Sequence, residues 1–267
     1  MSSGVSRLLV GAVGLPLVLG LVYVGGWWLF ILAGVAAVVA LHEFWTITRQ
    51  LRPLTLAGYA GAVLALVGAE LGGPGWALAG VLATLPLALL LNGIAETRAP
   101  ATVAMSSTFL GGAWIGLGLA HVLLLRDLPA HPVLASFTVL LAIFAADTFA
   151  YFAGRAIGRH KLAPVVSPGK TWEGFIFGST AAILVTFLAL YEDRRDFLSI
   201  GESLVLGAVI AVAALFGDLF ESALKRDMQV KDTGRLLAGH GGILDRIDSI
   251  LFAVPASYWL IRAFGIA

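Results

Sequence analysis

The sequence predicts an all-α, polytopic membrane protein of about nine transmembrane helices. Of its 267 residues, 59% are hydrophobic and only 12% are Asp, Glu, Lys or Arg. An ordinary soluble domain is roughly 25% charged, and a soluble fold of this length needs a polar shell that this chain cannot supply. Apolar runs of roughly 20 residues, the length a helix needs to cross hydrocarbon, recur along the chain. Glycine is abundant, with 32 residues, which suits close helix packing in lipid. Helix is the only sensible assignment because lipid offers the backbone no hydrogen-bond partner.

Nine stretches qualify: about 6–24, 26–48, 54–71, 76–93, 102–125, 132–154, 174–191, 203–224 and 247–265. Only Gly25-Gly26 separates the first two, so Leu8 to Leu41 reads as a tight hairpin, with one span plus a re-entrant piece as the alternative. The run is too long for the apolar core of a cleavable signal peptide and is read as mature structure. On the fifth stretch, Gly111-Gly112, Gly116 and Gly118 sit together. Residues 1–130 read as N-terminal membrane helices for packing or dimerisation. Residues 131–267 read as a C-terminal catalytic membrane region with loops 155–173 and 225–246.

Lys and Arg in the loops set orientation. With nine spans and the N-terminus inside, thirteen of the 17 Lys and Arg fall inside, including Arg155, Arg159, Lys161, Lys170, Lys225, Arg226, Lys231, Arg235 and Arg246. Arg126, Arg194, Arg195 and Arg262 fall outside. This bias places the two long loops in the cytoplasm, and the expected location is a bacterial cytoplasmic (inner) membrane. The net charge of +1 points to no partner by bulk charge, and no nucleic acid is expected. The absence of Cys excludes disulfide frameworks, Cys-ligated zinc and thiol catalysis.

The chemistry-bearing residues crowd into 147–248. Asp218, Glu221, Ser222 and Lys225 stand at i, i+3, i+4 and i+7, one face of a helix. Ionisable groups inside a span are costly and face a cavity or a partner, so this stripe reads either as a site or as a structural ion pair between Lys225 and one carboxylate. Lys231-Asp232-Thr233-Gly234 followed by Gly239-His240-Gly241-Gly242 is a loop whose N–H groups could turn toward an anion, or a flexible surface loop. Asp245 and Asp248, at i and i+3, are hard-oxygen donors of the kind Mg²⁺ takes, or carboxylates that complement a helix N-terminus. Asp147 lies in the sixth span, with Tyr151, Gly154 and Arg155 after it.

Ser167-Pro168-Gly169-Lys170-Thr171 contains Gly-Lys-Thr but is not a P-loop. The first glycine of that motif would fall at Pro164, and no strand is expected before it. What remains is a Lys and two hydroxyls at the start of a helix, a phosphate contact or an N-cap with a charged first turn. Acidic ligands beside basic phosphate-binders suit a metal–polyphosphate complex meeting an anionic lipid.

Ser222-Ala223-Leu224-Lys225-Arg226, Lys231-Asp232-Thr233-Gly234 and His240-Gly241-Gly242-Ile243-Leu244-Asp245-Arg246-Ile247-Asp248, at their spacing, closely resemble the signature of phosphatidate cytidylyltransferases, also called CDP-diacylglycerol synthases. Asp147, Gly154-Arg155, Ser167-Pro168 and Lys170-Thr171-Trp172-Glu173-Gly174 are similar to a second block of that family, and Gly217-Asp218 also matches. The resemblance is specific over about 140–250. Two positions depart: Ala238 stands where the family usually has Pro, and Gly169 where it often has a second Lys.

The resemblance implies the reaction of CTP with phosphatidic acid to give CDP-diacylglycerol and pyrophosphate, in a helical Mg²⁺-dependent membrane enzyme often described as a dimer. It assigns catalysis to Asp218, Asp245, Lys225, Lys231, Asp232 and Asp248, with Asp218, Asp245 and Asp248 as metal ligands. It assigns substrate binding to Asp147, Ser167, Lys170, Ser222, Arg226, His240, Gly241, Gly242 and Arg246. The alternative reading is a membrane transporter of protons or phosphate-bearing solutes using Asp147, Asp218 and Glu221. That reading expects charges spread along a path and repeated halves, and no repeat is visible. The pattern expected of lipid phosphotransferases that use CDP-linked lipids is absent.

Overall fold

The structure, a computed structural model, describes residues 14, 16–94, 100–234 and 241–265. The chain divides into two compact units, Met1–Leu124 with Met228–Ile247, and Leu125–Asp227 with Asp248–Ala267. The chain therefore leaves the first unit, builds most of the second, returns to the first for some twenty residues, and finishes in the second.

In the first unit, residues 16–24 are helical and end at Gly25. Gly25 (φ 70°) and Gly26 (φ 53°) occupy left-handed backbone that glycine adopts without strain, and this breaks the apolar run. Helices α1 (Gly26–Ile47), α2 (Thr55–Gly72), α3 (Pro74–Leu82), α4 (Thr84–Ile94) and α5 (Ala101–Arg126) follow. The expected fourth span is thus two helices joined at Ala83, together long and apolar enough to cross a membrane.

Small residues set the helix spacing. A side chain at Gly68 would run into the main chain of Trp76, one at Gly80 into that of Leu64, and one at Gly116 into Ala62. The core here includes Phe44, fully buried and edge-on to Trp45 and Trp114. The late segment of this unit ends in a four-residue helix, α9 (Leu244–Ile247).

The second unit holds α6 (Pro132–Ile157), a hairpin of β1 (Lys161–Ala163) and β2 (Ser167–Thr171), α7 (Trp172–Leu190), α8 (Ile200–Asp227) and α10 (Ile250–Ala263). Close approach again fixes the packing. Gly174 and Gly178 on α7 lie against the main-chain carbonyls of Ala150 and Ala146 on α6, and Gly207 on α8 lies against Ile183 on α7. Among the described residues the antiparallel pair β1–β2 forms a two-stranded sheet in a mostly helical fold. Ser167 and Lys170, expected at the start of a helix, lie on β2 instead, because the helix begins only after Thr171. Thr171 is the N-cap: its hydroxyl accepts the Gly174 N–H at 3.1 Å.

Seven helical segments among the described residues are long and apolar enough to span: Gly26–Ile47, Thr55–Gly72, Pro74–Ile94, Ala101–Arg126, Pro132–Ile157, Trp172–Leu190 and Ile200–Asp227. The chain is an integral membrane protein. The expected count of nine is not confirmed among the described residues. Residues 6–13 and 15 of the stretch 6–24 lie outside the described residues. The stretch 247–265 is a helix of 14 residues, Ile250–Ala263, that starts only after the buried polar pair Asp248-Ser249. At 1.5 Å per residue it is about 21 Å long, short of the roughly 30 Å of bilayer hydrocarbon.

Candidate active site

In the second unit, the polar stripe on α8 forms as the spacing requires. The Ser222 hydroxyl donates to Asp218 Oδ1 at 3.2 Å, and Lys225 Nζ pairs with Glu221 Oε2 at 2.5 Å. Glu221 is 2% exposed, so the Lys225 pair has the character of a buried structural bridge. Asp218 looks elsewhere. Its Oδ2 receives Lys170 Nζ from β2 at 2.7 Å.

Two more carboxylates lie near Asp218. Asp147 on α6 bonds the side chain of Ser249 and is close enough to Asp218 and Lys170 to feel both charges. Asp248 precedes α10, accepts the Ser249 N–H at 2.7 Å, and feels the charges of Asp218, Asp147 and Lys225. Gly217 permits this approach, since a side chain there would run into the Asp248 carbonyl. Two helices, a strand and the turn before α10 thus gather Asp147, Lys170, Asp218, Ser222 and Asp248. With Glu221 and Lys225 included, carboxylates outnumber ammonium groups, an arrangement that favours an added cation.

The hairpin that carries Lys170 is held from below. The Glu173 carboxylate accepts the N–H groups of Arg159 (3.1 Å) and His160 (3.2 Å) and meets His160 Nδ1 at 2.6 Å. The Arg226 Nε donates to the Val166 carbonyl at 3.3 Å, between the two strands. Ser167 stands three residues before Lys170 and is half-buried.

In the first unit, Asp245 Oδ2 accepts three bonds from its own segment: Thr233 N–H at 3.1 Å, Thr233 Oγ1 at 3.0 Å and Gly242 N–H at 2.7 Å. Gly241 (φ 80°) makes the turn that lets Gly242 face back to Asp245. Glu43, 5% exposed on α1, accepts the N–H groups of Ile243 (3.1 Å) and Leu244 (2.9 Å). The N–H groups of Gly242, Ile243 and Leu244 are therefore directed to carboxylates within this unit. Lys231, Asp232 and Arg246 are exposed. His240 lies outside the described residues.

The profile of the Cytidylyltransferase family matches residues 5–264. The chain belongs to the cytidylyltransferase family. A phosphatidate cytidylyltransferase of Staphylococcus aureus is 32% identical over 256 residues, 93% of this chain and 95% of that protein. Proteins of the same name from Haemophilus influenzae (42% over 130 residues, 48% of this chain) and Bacillus subtilis (37% over 158 residues, 58% of this chain) match in part. Those two alignments cover 45% and 58% of the relatives' own lengths, so the chain spans about half of each.

This family member places the residues singled out in the sequence in two groups. Asp147, Lys170, Asp218, Ser222, Lys225 and Asp248 gather in one unit. Thr233, Gly241, Gly242 and Asp245 gather in the other. Among the described residues no group of three or more His, Asp or Glu forms a ready cation cage. Asp218, Asp248 and Asp147 are hard-oxygen donors of the type that Mg²⁺ takes one or two at a time, with waters and phosphates completing its shell. Sequence reading missed Glu43 and the support that Glu173 gives the hairpin. Glu43 did carry one signal: it is the first charge after 35 residues without one.

Proposed function

We propose that the protein transfers the cytidylyl group of CTP to phosphatidic acid, forming CDP-diacylglycerol and releasing pyrophosphate, and that it does so as an Mg²⁺-dependent homodimer of the bacterial inner membrane with loops 155–173 and 225–246 in the cytoplasm. The family, and the name its relatives carry, support the reaction. The observation that carries it in the structure is the Lys170–Asp218 pair set beside Asp147 and Asp248. The loop placement is supported by the distribution of Lys and Arg.

A phosphate oxygen of phosphatidate attacks the α-phosphorus of CTP, and the bond from that phosphorus to the pyrophosphate oxygen breaks. The nucleophile is already an anion, so no strong general base is required. The obstacle is repulsion between a lipid phosphate and a triphosphate, and catalysis is mainly positioning and charge neutralisation. Asp218 and Asp248 would hold Mg²⁺, with Asp147 beside them. An ion held there would supply neutralisation of charge on the substrate phosphates and on the leaving pyrophosphate. Lys170 and Arg226 contact phosphate oxygens, Lys170 being steered by Asp218. Ser222 fixes the Asp218 carboxylate. Lys225 neutralises the buried Glu221 carboxylate on the same face of α8. Lys231, Asp232 and Arg246 are exposed charges on the segment that Asp245 organises, available to the anionic substrates. The transporter reading draws no support from the family.

Purified protein in mixed micelles with radiolabelled CTP tests this. Label should enter the lipid phase only when phosphatidate and Mg²⁺ are both present. No lipid label under those conditions sinks the reading.

A further inference from the structure

Glu43 is the carboxylate that the mechanism leaves unused. It is nearly inaccessible in α1, a helix that is otherwise apolar up to His42. Burying a carboxylate is costly unless hydrogen bonds replace its hydration, and every bond that the structure gives Glu43 comes from one distant stretch of chain. Oε1 accepts Ile243 N–H and Oε2 accepts Leu244 N–H, the groups that lead into α9 and have no partner within so short a helix. Thr233 Oγ1 lies 3.4 Å from Oε2. A hydroxyl has one proton, and its shorter bond is the 3.0 Å one to Asp245. Thr233 therefore stands between the two carboxylates.

Two glycines give independent support. A side chain at Gly234 would overlap the Glu43 carboxylate, and one at Gly242 would overlap Glu43 and Thr233 Oγ1. Neither glycine has a positive φ. What demands glycine at both is the space that Glu43 fills.

We propose that Glu43 is a positioning residue for the cytidylyl-transfer reaction: it fixes segment 233–244, and through Thr233 and Gly242 the Asp245 carboxylate, in the conformation used in turnover. The activity part of this inference rests on the reading under Proposed function. The structural part does not.

The test uses the full-length protein in detergent micelles. Glu43→Gln keeps the shape and replaces an acceptor with an NH₂ group facing an N–H. Amide exchange at Gly242–Leu244 should accelerate at least tenfold, and kcat should fall at least tenfold with KM for CTP changed less than threefold. The second test does not depend on that variant folding. Gly234→Ala should lower kcat at least tenfold in the wild-type background. In Glu43→Asp, whose carboxylate is withdrawn by one methylene, the same change should cost less than threefold. Unchanged exchange in Glu43→Gln, wild-type kcat in that variant, or equal losses from Gly234→Ala in both backgrounds overturns the proposal. If the wild-type protein transfers no cytidylyl group, the functional reading falls, and the exchange measurement still decides whether Glu43 holds the segment.

Discussion

Lys170 and Asp218 are separated by 47 residues of chain and joined by a 2.7 Å ion pair, the hairpin ammonium reaching the first carboxylate of the α8 stripe. Both side chains are partly accessible, 23% and 34%, so the pair is reachable by a ligand and worth little as a stabilising bridge. Its value lies in aiming charge.

Asp218→Asn should therefore remove activity without removing the protein from the membrane. The expected fall in kcat is roughly 10²-fold or more, the scale of losing one preorganised electrostatic contact in a transition state. Lys170→Met should act more through CTP, lowering kcat/KM by roughly tenfold or more as a lost phosphate contact. Steady-state kinetics at saturating Mg²⁺ check both. Wild-type rates in Asp218→Asn would remove it from the mechanism.

The sequence makes some of this arrangement legible and hides the rest. Asp218, Glu221, Ser222 and Lys225 could be read because helix geometry alone brings i and i+4 together; the ion pair between Lys225 and one carboxylate, read as an alternative to a site, forms with Glu221, and Ser222 bonds Asp218 beside it. The apolar spans could be read because lipid leaves helix as the one solution. The hairpin was hidden: three- and five-residue strands carry too little alternation to register, and Ser-Pro-Gly-Lys reads as the approach to a helix. Glu43 was hidden for a different reason. Its partners lie 200 and 201 positions away, a pairing that no local spacing rule addresses.

The Lys225–Glu221 bridge is buried, and its loss should register as stability. Lys225→Met leaves the Glu221 charge without its ammonium, at a cost of about 3–5 kcal/mol by comparison with other broken buried pairs. Thermal unfolding in detergent should show a clearly lower midpoint. Glu221→Leu combined with Lys225→Met should recover much of the loss. A single variant as stable as wild type would show that the bridge contributes nothing.

Gly217→Ala should separate geometry from charge. The added methyl meets the Asp248 carbonyl, so Asp248 must move away from Asp218 while every ionisable group is kept. We expect kcat to drop by about tenfold or more, the scale of a 1 Å misplacement. Circular dichroism of the helical signal should be unchanged.

Gly178→Ala pushes a methyl against the Ala146 carbonyl, which is backbone and cannot swing aside. Overpacking of this kind costs typically about 1–3 kcal/mol. The variant should unfold at lower temperature than wild type, and Gly178→Leu should fail to give monodisperse protein.

The proposed Mg²⁺ dependence rests on the surplus of carboxylates over ammonium groups around Asp218 and can be tested by removing the ion. Treatment with EDTA should stop transfer, and Mg²⁺ should restore it. Asp248→Asn should raise the Mg²⁺ concentration needed for half-maximal rate. An unchanged metal requirement in that variant would leave Asp248 without a ligand role.

The return of the chain to its first unit for residues 228–247 has a bearing on how such a protein can be cut. A shortened version retaining only the second half would keep nearly every recognisable signature residue, yet it would discard α1 and with it the carboxylate that holds Ile243 and Leu244. The apparently featureless opening hydrophobic stretch is a scaffold for the most informative letters of the sequence. A minimal version chosen by motif alone would inherit the alphabet without the page it is printed on.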